Sequence, residues 1–390
     1  MSDWREIQLG EVADVQTGPF GSQLKNEQYI TGGTPVVTVE HIQDFKIIDF
    51  DYPSITNEDK ERLSKYLMKE GDILFTRVGS VDLSAYVSKD QDGWMFSSRM
   101  LRVRPNKEIN SRFLSYFFQQ KNFRDYIINI AVGATMPSIN TGILKTIPIL
   151  YPPLEEQNSI AQVLSSLDDK IDLLHRQNET LEQMAETMFR QWFVENPNPE
   201  WEERPLSSIA TFLNGLACQK YPPKHDMDKL PVLKIKELRN GLSKDCDWCT
   251  TEVDEKYIVE NGDVIFSWSA SLIIKIWDGQ TCVLNQHLFK VTSDDFPKWY
   301  YYLWSKFHLD QFIAIARAHA TTMGHIKRGD LDEAMVLTPS EDEINEMSAH
   351  FDPIIEKIKV NNRQISKLVA LKDTLLPKLM SGEISIDTDE

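Results

Sequence analysis

The fold is decided by residues 152–184, PPLEEQNSIAQVLSSLDDKIDLLHRQNETLEQM, in the middle of a chain of 390 residues. Apolar residues recur in this segment in alternating steps of four and three, which is the spacing of a and d positions in a coiled coil. The seam consists of Ile160, Leu164, Leu167, Ile171, Leu174, Asn178, Leu181, Ala185, Met188 and Trp192. This pattern predicts one long helix, and about 40 residues at ~1.5 Å per residue would form a rod of roughly 60 Å.

A second seam of the same kind occupies the C-terminal part of the chain. It consists of Met347, Phe351, Ile354, Ile358, Asn361, Ile365, Leu368, Lys372 and Leu375. Both stripes are narrow, which favours a coiled-coil seam over the broader apolar face of a globular-core helix. A single rod cannot bury its own stripe, so we predict that the two helices pack together, antiparallel, about a pseudo-twofold axis.

One polar residue interrupts each seam, and the two interruptions fall in opposite heptad classes. Antiparallel packing places a positions against d positions, so Asn178 and Asn361 would share a layer and hydrogen-bond to each other. A paired buried asparagine is a device that sets helix register. The alternative is that both asparagines are exposed where the seam frays.

The remainder of the chain is also duplicated. KEGDILFTR at 69–77 returns as ENGDVIFSW at 260–268, with a glycine offset of 262 − 71 = 191. SSRMLRV at 97–103 matches NQHLFKV at 285–291, and Met136 matches Met323 at 323 − 136 = 187. Several matches in the same order, with a slowly drifting offset, indicate an internal repeat.

Each copy begins with short apolar runs separated by Gly, Pro and Asn, which predict strands. One aromatic helix is predicted in each copy, at 111–127 and 297–313. The predicted fold class is α+β, with two β-rich mixed domains separated by two long antiparallel coiled-coil helices. The predicted segments are a first domain at 1–150, a central helix at 151–198, a second domain at 199–337, and a distal helix with an acidic tail at 338–390.

Composition excludes some classes of protein and leaves others open. The net charge is -17 and the pI is near 5.0, which argues against indiscriminate nucleic-acid binding. A specific site remains possible because acids cluster elsewhere, while residues 98–124 are basic and aromatic. No apolar run approaches the roughly 20 residues of a membrane helix, and the N-terminus lacks signal-peptide features. With only four cysteines, we expect no disulfide framework and a cytoplasmic protein with no membrane association.

The chain resembles the specificity subunit of type I restriction–modification enzymes. The resemblance is carried by TMPSINTGILKTIPILYPPLEEQNSIAQVLSSLDDKIDLLHRQNETLEQM, by ETMFRQWF after it, and by LLPKLMSGEI near the C-terminus. It implies target-recognition domains near 1–150 and 199–337, joined by helices near 152–195 and 338–382 that space them and dock modification subunits. In the second copy TPSEDEIN replaces PPLEEQNS, which departs from the family signature.

The resemblance implies a non-catalytic subunit that binds double-stranded DNA and reads a bipartite, asymmetric target. Methyltransferase subunits would hold S-adenosylmethionine, and a translocase–nuclease subunit would use ATP and Mg²⁺, so no cofactor is expected here. The rods would then set the spacing between readers on half-sites about one helical turn, or roughly 34 Å, apart. Deleting one heptad from residues 160–188 would change the spacer length that is tolerated.

Three other functions are considered. One is the specificity subunit of a related multisubunit restriction system. Another is a protein-interaction scaffold, which would show no sequence-selective retention on duplex DNA when modification subunits are added. A self-sufficient methyltransferase is disfavoured because no Gly-rich donor-binding strand–turn–helix is present. A neighbouring adenine-methyltransferase gene would discriminate among these functions.

Base readout requires polar side chains on loops that reach a groove. In the first copy, the candidates are Gln16, Thr17, Phe20, Ser22, Gln23, Lys25, Thr38, Glu40, His41, Arg77, Ser98 and Arg99. In the second copy, they are Asn214, Gln219, Lys220, Lys234, Lys236, Ser267, Trp268, Asn285, Gln286, His287, Thr321, Thr322 and His325. For each residue the alternative is an ordinary solvated loop position.

Four motifs suggest other chemistry and are assigned to structure instead. NPNPE at 196–200 lacks the stacking aromatic of amino-methyltransferases, and CDWC at 246–249 has no second ligand pair for zinc. TGGTP at 31–35 has no Lys-Ser/Thr after it to bind phosphate. The aromatic helix at 297–313 could form a base-stacking platform, but its spacing suits core packing better.

Overall fold

The computed structural model describes residues 4–48, 50–133, 135–242, 245–318 and 324–386. The chain divides into two compact units, unit 1 with Met1–Asp169 and Ala370–Glu390, and unit 2 with Lys170–Val369. Each unit therefore combines one globular domain with a part of both long helices. Within the described ranges no helix is both long and apolar enough to cross a lipid bilayer.

Unit 1 is built on a four-stranded antiparallel sheet. Its strands, in spatial order, are Ala13–Thr17, Met100–Pro105, Ile73–Thr76 and Ser84–Tyr86. A three-stranded sheet has the order Ser54–Ile55, Thr34–Val37 and Met95–Phe96, and its last two strands are parallel. Two-stranded pairs join Arg5–Gln8 to Pro148–Tyr151 and Ile42–Gln43 to Lys46–Ile47. The α-helices of this domain are Leu9–Val12, Asn57–Arg62, Ser111–Gln119, Lys121–Ile130 and Thr141–Lys145, and the 3₁₀ turns are Asn26–Gln28, Val39–His41, Ser64–Tyr66 and Lys89–Gln91.

Unit 2 repeats this plan. Its main sheet has the order Thr211–Asn214, Leu288–Thr292, Val264–Ser267 and Ile274–Ile276. The second sheet has the order Trp248–Cys249, Leu230–Leu233, Cys282–Leu284 and Ile258–Val259, and its two central strands are parallel. Glu202–Pro205 pairs with Met335–Thr338. The α-helices are Leu206–Ile209, Ile235–Asn240, Lys298–Phe307, Leu309–Ala318 and Arg328–Glu333, and the 3₁₀ turns are Cys218–Lys220 and Glu255–Tyr257. The predicted fold class and the internal repeat are confirmed.

Two long helices run through both units. The central long helix is Leu154–Arg190, continued by a π-helical turn at Gln191–Glu195, and the distal long helix is Glu341–Met380. In unit 2 the Trp192 and Phe351 rings are 5.4 Å apart. At another layer of the same helix pair, the side chain of Asn361 hydrogen-bonds to that of Asn178. Residue numbers therefore rise along one helix as they fall along the other, which is the predicted antiparallel arrangement.

The two seam asparagines lie in one layer of unit 2. The Nδ2 of Asn361 donates to the Oδ1 of Asn178 at 2.9 Å, and the Nδ2 of Asn178 donates to the Oδ1 of Asn362 at 2.6 Å. Asn361 is fully buried, so exposure at a frayed seam does not describe it. A one-residue slip of either helix would break both hydrogen bonds inside an apolar seam, so this layer specifies the register.

The helices differ from the prediction in the width of their apolar face. Phe189 and Ile355 lie outside the strict heptad seam, yet both are buried in the core of unit 2. The central seam positions Leu167, Ile365 and Leu368 are only half-buried. The coiled-coil seam is present, and beside the domains the buried face of each helix is wider than that seam, because each helix packs there against a domain as well as against the other helix.

The predicted single aromatic helix is two helices in each copy. In unit 1 the break is at Gln120, whose backbone is extended, and in unit 2 it is at His308. Trp299 and Tyr300 are fully buried in the unit 2 core, so the aromatic residues pack inside the domain. This confirms core packing over a base-stacking platform.

Glu343 caps the start of the distal long helix. Its carboxylate accepts hydrogen bonds from Trp201 Nε1 at 3.0 Å, Asn198 Nδ2 at 3.2 Å and Ser340 N at 2.9 Å. These bonds, of which the one from Trp201 has the largest effect on the carboxyl group, hold the pKa of Glu343 down at about 2. The charged form is therefore favoured in the folded state, and this capping interaction is sensitive to acid.

We expect Glu343→Gln to lower the free energy of unfolding by about 1 kcal/mol at pH 7, a value reduced for solvent screening. The folded-state pKa lies below the ordinary 4.5, so the native group contributes fully above about pH 4.5, and its contribution is lost as the pH falls toward 2. Urea unfolding at pH 7 and pH 3 measures this, with Glu346→Gln, an exposed position on the same helix, as control. Identical loss of stability on acidification in the native protein and Glu343→Gln would contradict the assignment.

Candidate nucleic-acid interface

Three strands of the main sheet of unit 1 meet at one edge. Thr17 pairs with Leu101, and Thr76 pairs with Met100. The segments after Thr17, after Thr76 and before Met100 therefore emerge at the same place. We call Thr17, Phe20, Arg77, Ser98 and Arg99, which lie in or beside these segments, the first strand-end cluster.

Arg77 is the centre of the first strand-end cluster. Its guanidinium carbon lies 5.6 Å from the ring centroid of Phe20, and its Nη1 donates to the Ser98 carbonyl at 3.5 Å. Its backbone N–H donates to the Arg99 carbonyl at 2.8 Å. Phe20 is 49% exposed and Arg99 is also exposed. A guanidinium stacked on an exposed ring retains planar donors for a guanine edge or a phosphate.

Glycine is required where the first loop crosses this edge. A Cβ on Gly18 would lie 2.1 Å from the carbonyl oxygen of Ser97, and a Cβ on Gly215 would lie 2.3 Å from that of Asn285. Both glycines directly follow the first strand of a main sheet. In each copy the loop after the first strand thus lies against the equivalent backbone segment of its own domain. Only a residue without a side chain allows an approach this close.

Unit 2 has the equivalent arrangement with different side chains. The indole Nε1 of Trp268 donates to Asn214 Oδ1 at 3.1 Å. The Trp268 ring lies 5.7 Å from the ring of His287 and 6.4 Å from that of His325. We call Asn214, Trp268, Gln286, His287 and His325 the second strand-end cluster. It contains two amides, an indole and two imidazoles, where the first cluster contains two guanidinium groups.

Three sequence candidates lie inside the fold, and this corrects their assignment as base contacts. His41 is fully buried, its Nδ1 accepts from the Thr38 N–H at 2.9 Å, and its ring packs 4.5 Å from Tyr52. Ser267 is fully buried and its Oγ donates to the Ser271 carbonyl at 2.8 Å. Asn285 is 6% exposed and its Oδ1 accepts from the His287 N–H. All three side chains are buried, and the hydrogen bonds named here tie them to neighbouring loop backbone, so they do not reach a groove.

The other candidates lie around the clusters or apart from them. Thr38 Oγ1 donates to the carboxylate of Glu40 at 2.9 Å, and Lys234 forms an ion pair with Asp247. Gln23 Oε1 accepts from a tyrosine hydroxyl at 2.7 Å, and Gln16 is half-buried. Five further candidates are exposed outside the two clusters: Ser22, Lys25, Gln219, Lys220 and Lys236. Thr321 and Thr322 lie outside the described residues.

Sequence reasoning missed a turn beside the first strand-end cluster. Val132 and Met136 are exposed there, and Gly79 N donates to the Pro137 carbonyl at 2.9 Å. Apart from Phe20 and Trp268, the sequence candidates carry hydrogen-bonding side chains, and no aliphatic residue is among them. The turn residues Gly133 and Pro137 were the available signal in the sequence.

The cysteines do not form a ligand set. Cys218, Cys246, Cys249 and Cys282 are all buried free thiols. Burial raises the pKa of the Cys218 thiol to about 12, which keeps it protonated. Across the part of the chain that the structure describes, no group of three or more His, Cys, Asp or Glu residues is placed to hold a metal ion.

A family model, curated relatives and a solved structure that match this chain all concern the specificity subunits of type I restriction systems. Residues 1–183 and 198–370 match the model of the type I restriction modification DNA specificity domain. The MjaIX specificity subunit of Methanocaldococcus jannaschii is 25% identical over 99% of this chain and 94% of its own length. The HindI specificity subunit of Haemophilus influenzae is 20% identical over 98% of this chain and its full length. The crystal structure of an S subunit from M. genitalium superimposes with a TM-score of 0.59 at 14% identity, over 99% of this chain and 97% of that one.

Proposed function

Because the chain belongs to the type I restriction–modification DNA specificity family, we propose that each strand-end cluster reads one half of a bipartite duplex target. The protein is a specificity subunit, and its two matched domains suit a target in two parts.

One observation carries the proposal. Equivalent positions of the two repeats hold different side chains at the same sheet edge. Arg77 corresponds to Trp268, at 268 − 77 = 191, and Arg99 corresponds to His287, at 287 − 99 = 188. A scaffold requirement would be met by similar residues in both copies. Different hydrogen-bonding groups on a shared frame suit two different half-sites, and so an asymmetric target.

The partners follow from the family and from the surface of the long helices. Several apolar residues on these helices are exposed: Leu173, Met184, Val360 and Leu371 are 41%, 50%, 50% and 45% exposed. Methyltransferase subunits holding S-adenosylmethionine would cover such positions, and a translocase–nuclease subunit with ATP and Mg²⁺ would join for cleavage. The chain itself would perform no chemistry. Its contacts with DNA phosphates would make the affinity for DNA fall as the salt concentration rises. The partner subunits would supply the remaining contacts around the duplex.

The test is a domain exchange read by methylome sequencing. Replacing residues 1–150 by the matching domain of a specificity subunit with a known target should change one half of the methylated motif only. The reciprocal exchange of residues 199–337 should change only the other half. Retention of the native motif after either exchange, or no methylated motif that depends on this gene, would exclude the proposal and favour a protein-interaction scaffold.

A further inference from the structure

Two hydrophobic side chains are exposed in a short turn beside the first strand-end cluster. Val132 is 62% exposed and Met136 is 64% exposed. Val132 and Ser138 exchange two backbone hydrogen bonds of 2.9 Å, and Ser138 Oγ donates to the Val132 carbonyl at 3.1 Å. The base of the turn is therefore closed by hydrogen bonds, with both apolar side chains directed into solvent.

This turn is bonded to the segment that carries Arg77. Ile139 N donates to the Arg77 carbonyl at 2.9 Å, and Gly79 N donates to the Pro137 carbonyl at 2.9 Å. The exposed ring of Phe20 lies on the guanidinium of the same arginine. The apolar turn is thus an extension of the first strand-end cluster and presents its side chains next to guanidinium and hydroxyl groups.

The attachment is repeated in unit 2. Ile326 N donates to the Trp268 carbonyl at 3.0 Å, and Ala270 N donates to the Gly324 carbonyl at 2.8 Å. These bonds correspond one for one to those around Arg77. The second-copy positions matching Val132 and Met136 lie outside the described residues. Because the connection is built into both repeats, the shared frame of the domain holds this turn beside the strand-end cluster.

We propose that Val132 and Met136 read thymine by contacting its C5-methyl group in the major groove of the half-site assigned to the first domain. The inference rests on the proposed function and adds a specificity contact to it. The thymine methyl is the apolar group that base pairs present on their major-groove edge. Arginine and serine, which flank the turn, hydrogen-bond to base edges in the same groove. Exposed aliphatic side chains beside such groups gain free energy when a methyl covers them.

The experiment measures methylation by this chain in complex with its modification subunit, on duplexes in which deoxyuridine replaces thymine in one half-site. Deoxyuridine keeps every hydrogen-bonding group of thymine and lacks the methyl. For the native chain, the substitution in the first-domain half-site should lower the methylation rate at limiting DNA about fourfold per contacted methyl. Met136→Ala or Val132→Ala should lower the rate on thymine DNA similarly and should abolish most of the response to deoxyuridine.

Ile128→Ala is the matched control, because Ile128 is 47% exposed on the helix that precedes the turn. It should retain both the native rate and the full response to deoxyuridine. An equal deoxyuridine response in the native and both turn variants would overturn the inference, as would a first half-site without an A·T pair. If Val132 and Met136 were instead inserted into the minor groove, the native chain and both turn variants would respond equally to deoxyuridine, because the thymine methyl lies in the major groove. Failure of the proposed function would give a different result from failure of this inference. In that case the native complex would methylate DNA with no sequence preference at all.

Discussion

Shortening both long helices by one heptad should move the preferred spacing between the two half-sites while leaving the half-sites themselves unchanged. We expect this from deletion of residues 170–176 together with residues 364–370. Seven helical residues span about 10 Å, which corresponds to about three base pairs at ~3.4 Å per base-pair step. Methylation of the native target should fall to background, and a target with a shorter spacer should replace it.

The structure indicates where such a deletion preserves packing. In unit 1 the Nζ of Lys372 lies 2.7 Å from the Oδ1 of Asp168, and Tyr116 donates to the other carboxylate oxygen at 2.7 Å. In unit 2 the asparagine layer joins Asn178 to Asn361. The paired deletion lies between these two contacts in both helices and leaves both sets of partners in the chain. Seven residues also keep each seam in phase, because the heptad is its repeat.

The measurement is methylation of a duplex library in which the two half-sites are separated by every spacer length around the native one. Duplicating the same two segments should shift the optimum toward longer spacers. Deleting 170–176 alone should lower the melting temperature, because the layers on one side of the deletion then lose their partners. An unchanged spacer optimum in a folded, paired-deletion variant would show that the helices do not set the spacing.

Arg77→Ala should have the second largest effect. Losing an arginine that reads a base costs about 1–3 kcal/mol, or roughly five- to 150-fold in methylation at limiting DNA. Discrimination should relax at one base pair of the first half-site and remain intact in the second. Arg77→Lys should fail to restore it, because an ammonium group cannot reproduce the planar donors that lie over Phe20.

Arg112→Ala is the control for loss of charge and of ring stacking. The guanidinium carbon of Arg112 lies 4.8 Å from the Tyr86 ring centroid, in the same kind of contact at another place in unit 1. This variant should retain the native rate and motif. If Arg77→Ala instead weakened binding equally for all sequences and reduced the salt dependence, Arg77 would be a phosphate contact and would not read a base.

Much of the architecture follows from patterns along the chain. The steps of four and three predict both long helices, since a narrow apolar stripe on an isolated rod must be covered. The asparagine at one point in each seam predicts the antiparallel register, because only that direction brings opposite heptad classes together. The repeated segments around Gly71 and Gly262 predict two domains with the same order of elements. The family resemblance gives a reason for this duplication, because each domain would read one half of a bipartite target.

The candidate site was predictable only as a pair of loop regions. Local sequence cannot distinguish Arg77, which lies on an exposed ring, from His41, which is fully buried against Tyr52. Both are polar residues in turns after short strands. Their burial depends on how distant segments of the domain pack together. The same applies to Ser267 and Asn285, which look like groove-facing residues and instead support the loops that bear Trp268 and His287.

Periodicity and internal repetition in the sequence are enough to predict two β-rich domains, two long helices and the antiparallel direction of those helices. These depend on periodicity, which is a property of neighbouring residues along one helix or strand. Tertiary packing determines whether the seam asparagines are buried as a pair, which side chains gather at the sheet edges, which strand-end loops need a glycine, and where the Val132–Ser138 turn is attached. Those outcomes depend on hydrogen bonds and packing between segments far apart in the chain, and on the space that each segment leaves for the others.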